Sequence, residues 1–93
     1  MTNHPNRSTI SFRFIAFSTV SGNSLFRAAT AVEARDMAIK EHHLDDDAYV
    51  EVLDCGENGR KVWDRGLPLH QAREGHEVVF RGAGYPHLPA IAL

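Results

Sequence analysis

The sequence predicts a small α+β domain, in which one helix packs on one face of a small antiparallel sheet. Three stretches support this prediction. Residues 9–19 begin with the alternation of a half-buried strand, residues 30–43 begin with a helix-capping motif, and residues 48–65 have the pattern of two strand arms around a Gly-rich turn. The expected order of elements is ββαββ, with or without a fifth strand.

Length and composition indicate a single folded domain. The chain has 93 residues, of which 43% are hydrophobic and 24% charged, and this balance argues against wholesale disorder. Its formal net charge of −2 gives no overall attraction to nucleic acid. We expect a flexible N-terminal arm at 1–8, the domain at 9–66, an extension with an additional strand at 67–82, and a tail at 83–93.

The sequence shows no targeting signal or cross-link. Its start lacks the apolar core of a signal peptide, and no apolar run approaches the roughly 18 residues of a membrane span. Cys55 is the single cysteine, so an intrachain disulfide cannot form. These observations predict a cytoplasmic protein that does not associate with membranes.

Two strands are expected before the helix. Ile10, Phe12 and Phe14 share one side of the first strand, with polar residues on the other side. Residues 15–17 then break the alternation, which indicates either that both faces are covered there or that the strand has a bulge. After a turn at 21–23, residues 24–29 return as a second strand, although the same residues also suit a helix.

The helix has the clearest local signal in the chain. Thr30 and Glu33 form a capping box, in which the threonine hydroxyl accepts a hydrogen bond from the N–H of Glu33 and the glutamate side chain reaches back. The predicted helix extends to about His43. Its inner face consists mostly of alanine, which favours close packing on a sheet.

Residues 48–65 have the pattern of a β-hairpin. Residues 48–53 form its first arm, and Val62 and Trp63 belong to its second arm. Asn58 and Gly59 favour a hairpin turn because both residues tolerate positive φ. A further strand is expected at 76–81.

The sheet face turned away from the helix is the candidate functional surface. Its candidate interface residues are Arg13, Phe17, Arg27, Tyr49, Lys61, Trp63 and Arg65. Tyr, Trp and Arg are frequent anchors of protein interfaces, whereas flat rings beside arginines also bind single-stranded nucleic acid. A third interpretation is that residues 67–93 fold across this face and cover it. The negative net charge and Glu51 within the same face argue against nucleic acid.

Asp45, Asp46 and Asp47 form a candidate acidic patch after the helix. Adjacent His42 and His43 suggest a metal site, but neighbouring helical side chains point about 100° apart, and no zinc-type pair spacing is present. We therefore expect no metal and no cofactor. The aspartates are interpreted as a solvated helix end, or as a surface that attracts a basic partner or mimics nucleic-acid phosphate and so inhibits a nucleic-acid-binding protein.

Catalysis is not indicated. Cys55 and a histidine would make a nucleophile and a base, but nothing in the sequence places them together. The prediction is a non-catalytic interaction or regulatory module that binds a protein partner, or a second copy of itself as a homodimer, through the exposed sheet face. The alternative is single-stranded nucleic-acid binding on that face.

Overall fold

A computed structural model of the protein describes residues 11–19, 24–42 and 47–93. Within these ranges the strands are β1 (Phe14–Ser18), β2 (Ser24–Ala28), β3 (Val50–Asp54) and β4 (Glu77–Arg81). The helices are α1 (Ala31–His42), α2 (Gly59–Arg65) and α3 (Leu69–Gly75), and a 3-10 turn, Gly56–Asn58, precedes α2. The predicted α+β class, with an antiparallel sheet and a helix on one face, is confirmed.

Several sequence predictions lie outside the described residues. These are the N-terminal arm at 1–8, the position of Ile10, the turn at 21–23, the end of the first helix at His43, and the acidic-patch residues Asp45 and Asp46.

The four strands form one antiparallel sheet in the order β2-β1-β3-β4. β1 pairs with β2 and β3 on its two sides, and β4 pairs with β3. The strand predicted at 24–29 is therefore confirmed as β2, and the strand predicted at 76–81 is confirmed as the fourth strand of the sheet.

α1 covers one face of the sheet, as its alanine-rich face predicts. Thr30 begins the helix: its Oγ1 accepts a hydrogen bond from the N–H of Glu33 at 3.1 Å, and its hydroxyl donates to the Glu33 carboxylate at 2.9 Å. Ala34 and Ala38 are fully buried against the sheet. They pack in one apolar cluster with the sheet residues Phe14, Ala16, Phe26, Ala28, Val50, Val52, Val79 and Phe80. The expectation that Phe14 and the strand residues Phe26, Val50 and Val52 face the helix is confirmed. Phe12, expected on the same inner face, instead lies against Trp63 of α2, so that part of the prediction is wrong.

The prediction that Val62 and Trp63 belong to a second hairpin arm is wrong, because both residues lie in α2. Asn58 has φ −90° and Gly59 has φ −58°, both in the right-handed helical region, so this dipeptide begins a helix instead of making a hairpin turn. Gly66 ends the helix at φ 59°, and its N–H donates to the carbonyl of Trp63. Val62 therefore does not pack against α1.

α2 and α3 cover the opposite face of the sheet. Ile15, Phe17 and Leu53 of the strands are fully buried there, together with Val62 of α2 and Leu69 of α3. Leu67 and Tyr85 pack against the same cluster. Of the three interpretations of this face, intrachain cover is the one that the structure shows, and the cover begins at α2. The broken alternation at 15–17 reflects burial on both faces.

An irregularity in β4 determines which of its side chains faces α3. Val52 pairs with Phe80 and Leu53 pairs with Val78, so Val79 is one extra residue on β4. The extra residue places Arg81 opposite Glu51.

The C-terminal segment also contacts β4, since Ile91 and Arg81 exchange two backbone hydrogen bonds of 2.9 and 3.0 Å.

Candidate functional site

The structure distributes the predicted interface residues over separate places. Phe17 is fully buried beneath α2 and α3, so the expectation that its ring is exposed is wrong. Tyr49 is 48% exposed, just before β3. Lys61 and Arg65 are exposed on α2, one helical turn apart. Whether these residues contact a partner stays a prediction.

Arg27 and Trp63 are brought together in an arginine–aromatic cluster, which consists of Phe12, Arg27, Arg60 and Trp63. The guanidinium of Arg27 lies 4.0 Å from the centre of the Phe12 ring and 5.0 Å from that of Trp63. The two rings meet edge to face, with centres 6.1 Å apart. The guanidinium of Arg60 lies 4.9 Å from the Phe12 ring. Two aromatic rings thus fix two arginines on one surface.

Three segments position this cluster. Phe12 lies two residues before β1, and Arg27 extends from β2 toward the α2 face. Arg60 and Trp63 lie one turn apart on α2. Gly59 lets the start of α2 approach the Phe12 backbone closely, because a methyl group at this position would collide with the Phe12 carbonyl. Close contact between α2 and the segment before β1 is therefore built into the sequence.

The charge of this surface is positive. Arg60 pairs with Asp64 at 3.0 Å, but both side chains are mostly exposed, so the pair contributes little. Among the described residues no carboxylate pairs with Arg27, Lys61 or Arg65. The α2 segment carries three cations and one carboxylate, a difference of +2.

Arg13, unlike Arg27, forms an ion pair within the chain. Its Nε and Nη2 donate to the two carboxylate oxygens of Asp54, each at 3.0 Å. This bidentate hydrogen bonding is the main reason why the pKa of Asp54 is lowered, and the N–H of Gly56 contributes in the same direction. The paired guanidinium of Arg13 is therefore less available to a partner than that of Arg27.

The surroundings of Cys55 do not activate it. The residue is 2% exposed, and burial raises the pKa of its thiol to about 11, so the thiolate is scarce at neutral pH. His76 shares a cleft of about 560 Å³ with Cys55, but its Nδ1 lies 2.9 Å from the carbonyl oxygen of Ala72. Nothing in this geometry resembles an activated nucleophile and its base.

Neither a metal site nor a membrane helix is found in the part of the chain that the structure describes. No three His, Cys, Asp or Glu side chains there are grouped closely enough to hold an ion. None of the described helices has the length and apolar character needed to cross a bilayer. Of the acidic patch only Asp47 is described: it is half-buried, and its carbonyl accepts from the N–H of Val50.

Sequence reasoning missed a buried charged network. Glu51 is fully buried, and its carboxylate accepts hydrogen bonds from Nε and Nη2 of Arg73 at 2.8 and 2.9 Å and from Nε of Arg81 at 3.2 Å. The sequence pattern places Glu51 on the face away from α1, which is correct, but that face is covered. A lone carboxylate within an apolar strand, followed later by arginines, is the signal that such a network leaves in a sequence.

Comparison of the chain with models of protein families, with curated proteins and with solved structures found no match.

Proposed function

We propose that the protein is a non-catalytic interaction module, which binds carboxylates of a protein partner at the arginine–aromatic cluster. The observation behind this proposal is Arg27, a guanidinium that lies against two rings and has no carboxylate partner among the described residues. The binding surface is thus the outer side of the layer formed by α2, and it replaces the bare sheet face expected from the sequence.

Stacking on the two rings orients the Arg27 guanidinium for binding a carboxylate. A guanidinium that lies flat on a ring keeps the donors along its edges free, and its planar fork matches the two oxygens of a carboxylate. Because the rings already restrict the side chain, less conformational entropy is lost when a ligand binds. Arg and Trp are also the residue types that most often dominate the energetics of protein interfaces.

Single-stranded nucleic acid fits this surface less well. A base would have to stack on a ring, but the guanidinium of Arg27 already lies 4.0 Å from the centre of the Phe12 ring. Phosphate binding by the cations alone remains compatible with the geometry, although the net charge of −2 opposes it. A protein partner that presents Asp or Glu side chains is therefore favoured.

Affinity capture from a lysate of the source organism tests this proposal. Wild-type protein, Arg27→Ala and the control Arg35→Ala are used side by side, with and without nuclease, and captured proteins are quantified by mass spectrometry. Arg35 is a matched control because it also lies over a ring, that of Phe80 at 5.5 Å, but extends from α1 on the opposite face of the sheet.

We expect a protein that survives nuclease treatment, is retained by Arg35→Ala and is depleted about tenfold or more by Arg27→Ala. Loss of capture in both variants, or equal capture by both, would contradict the proposal. Material that disappears on nuclease treatment would support nucleic-acid binding instead. Recovery of the chain itself as a specific, Arg27-dependent prey would identify the partner as a second copy.

A further inference from the structure

A second cleft lies apart from the arginine–aromatic cluster, where Tyr49, α3 and the segment after β4 meet. Its volume is about 600 Å³, and neither Arg27 nor Trp63 lines it. The lining residues used below are Thr19, Tyr49, His70, Arg73, Tyr85 and Pro86. This size is within the range of small-molecule sites in proteins.

The charge behind this cleft is positive. The buried network places one carboxylate, that of Glu51, against two guanidiniums, those of Arg73 and Arg81, which leaves one positive charge uncompensated within it. Arg73 belongs to both the network and the cleft wall, and no Asp or Glu lines the cleft. Positive charge held in a poorly hydrated region favours an anion in the space beside it.

Arg73 has donors to offer such an anion. Glu51 occupies its Nε and one hydrogen of Nη2, whereas Nη1 has no partner among the described residues. The side chain is 24% exposed, so solvent and ligands can reach it. His70, which is exposed on α3, lies in the same wall and supplies a second polar group.

Aromatic walls complete the cleft. The hydroxyl of Tyr85 donates to the backbone carbonyl of Tyr49 at 2.7 Å, beside Thr19 in the cleft wall, so the ring is fixed in place. Tyr49 and Pro86 contribute further apolar surface at the rim. Convergent polar groups at one side and apolar walls at the other are the usual arrangement of a ligand site.

We propose that this cleft binds a small organic acid, whose carboxylate contacts Arg73 and whose apolar part packs between Tyr49 and Tyr85. This binding site is independent of the partner surface proposed above, because the two share no residue.

Titration with benzoate, followed by amide and arginine Nε–H resonances in NMR spectra, tests the proposal. We expect saturable shifts at Arg73, Gly84 and Tyr49, with a dissociation constant of about 1 mM, as is usual for a fragment of this size. Benzamide, which has the same shape without the charge, is expected to bind about tenfold more weakly or less. Inorganic phosphate, which lacks the apolar part, is also expected to bind more weakly than benzoate.

Two variants locate the site. Tyr49→Ala removes an exposed wall without touching the network, and Arg73→Lys keeps the charge but loses the guanidinium fork. Both are expected to weaken the binding that is followed at Gly84 about fivefold or more, while Arg35→Ala on α1 leaves it unchanged. Equal binding of benzamide, equal binding of phosphate, shifts scattered over the protein, or no effect of either cleft variant would overturn the proposal. If benzoate does not bind in this cleft, the proposed role of Arg27 in partner binding is unaffected. If Arg27 proves not to bind a partner, the proposal for the cleft is likewise unaffected.

Discussion

Nε of Arg73 lies 2.8 Å from Oε2 of Glu51, a carboxylate that is completely buried beneath α3. Arg81 reaches the other oxygen of the same carboxylate from β4 and also donates from Nη1 to the carbonyl of Pro89 at 3.0 Å. One side chain thus joins β3, β4, α3 and the C-terminal segment. Isolated charges are costly in an interior, so each member of this network depends on the others.

Glu51→Gln is expected to lower the free energy of unfolding by about 3 kcal/mol, because two guanidiniums would lose their counter-charge in a buried place. Urea denaturation of the two proteins measures the difference. The control is Glu57→Gln on the exposed 3-10 turn, for which we expect a change of less than about 0.5 kcal/mol. A loss below about 1 kcal/mol in the Glu51 variant would show that solvent reaches the network.

Gly59→Ala is expected to destabilise the fold by about 2 kcal/mol or more, since the new methyl group would collide with the backbone carbonyl of Phe12. The matched control is Gly75→Ala, where a methyl group meets no atom within 4 Å. There a better helix-forming residue is expected to leave stability unchanged or raise it by up to about 1 kcal/mol. Thermal unfolding of both variants compares them. Equal stability of the two would mean that α2 does not pack closely on this segment.

Asp54 makes the stability of the fold depend on pH in the acidic range. Its pKa in the folded protein is lowered, chiefly by hydrogen bonds from Arg13, below the ordinary value of about 4 that applies to the unfolded chain. The resulting stabilisation is therefore present above pH ~4 and is lost as the pH falls through the folded-state pKa. Arg13→Ala is expected to raise the pKa of Asp54 in an NMR titration. The melting temperature of the Arg13→Ala variant is expected to lie below that of the wild type at neutral pH and to approach it in acid. An unchanged pKa would refute the bidentate contact.

Cys55 makes the stability of the fold depend on pH in the alkaline range. Its folded-state pKa of about 11 lies above the ordinary value of about 8.5, so its contribution is present below pH ~8.5 and is lost as the pH rises toward 11. Alkylation by iodoacetamide at pH ~8 is expected to be about a hundredfold slower in the native protein than in urea. Rapid alkylation of the native protein would mean an accessible thiolate, and it would reopen the question of catalysis.

Local signals in the sequence account for the first half of the fold. The capping box at Thr30 and the alanine-rich face of α1 each report a short-range physical requirement, and the structure satisfies both. The segment that follows β3 departs from its local signals, whereas β3 and β4 agree with theirs. Asn58 and Gly59 favour a hairpin by composition, but Gly66 in a left-handed C-cap and the burial of Val62 stabilise a helix instead.

The candidate sites depend on distant contacts, which a pattern of neighbours does not encode. Glu51 meets Arg73 and Arg81, which lie 22 and 30 residues further along the chain. Arg27 and Trp63 were both among the predicted interface residues, but Phe12 had been assigned to the inner face and joins them only because α2 folds back over β1. Phe17 was misjudged because the sequence does not reveal that α2 and α3 cover its face.

Trp63 is a built-in reporter of the arginine–aromatic cluster, because it is the single tryptophan and lies 5.0 Å from the Arg27 guanidinium. It is also a poor site for mutation, since it packs against the core cluster and its removal would destabilise the fold. Arg27→Ala tests the surface with less structural cost.

Titration of a short glutamate-rich peptide against Trp63 fluorescence therefore tests carboxylate binding at Arg27 most directly. The expected result is a saturable change that weakens as salt is raised, is reduced about tenfold in affinity by Arg27→Ala and is retained by Arg35→Ala. An unaltered emission with no binding, or equal weakening by both arginine variants, would contradict the account. A stronger response to a single-stranded oligonucleotide than to the peptide would do so as well.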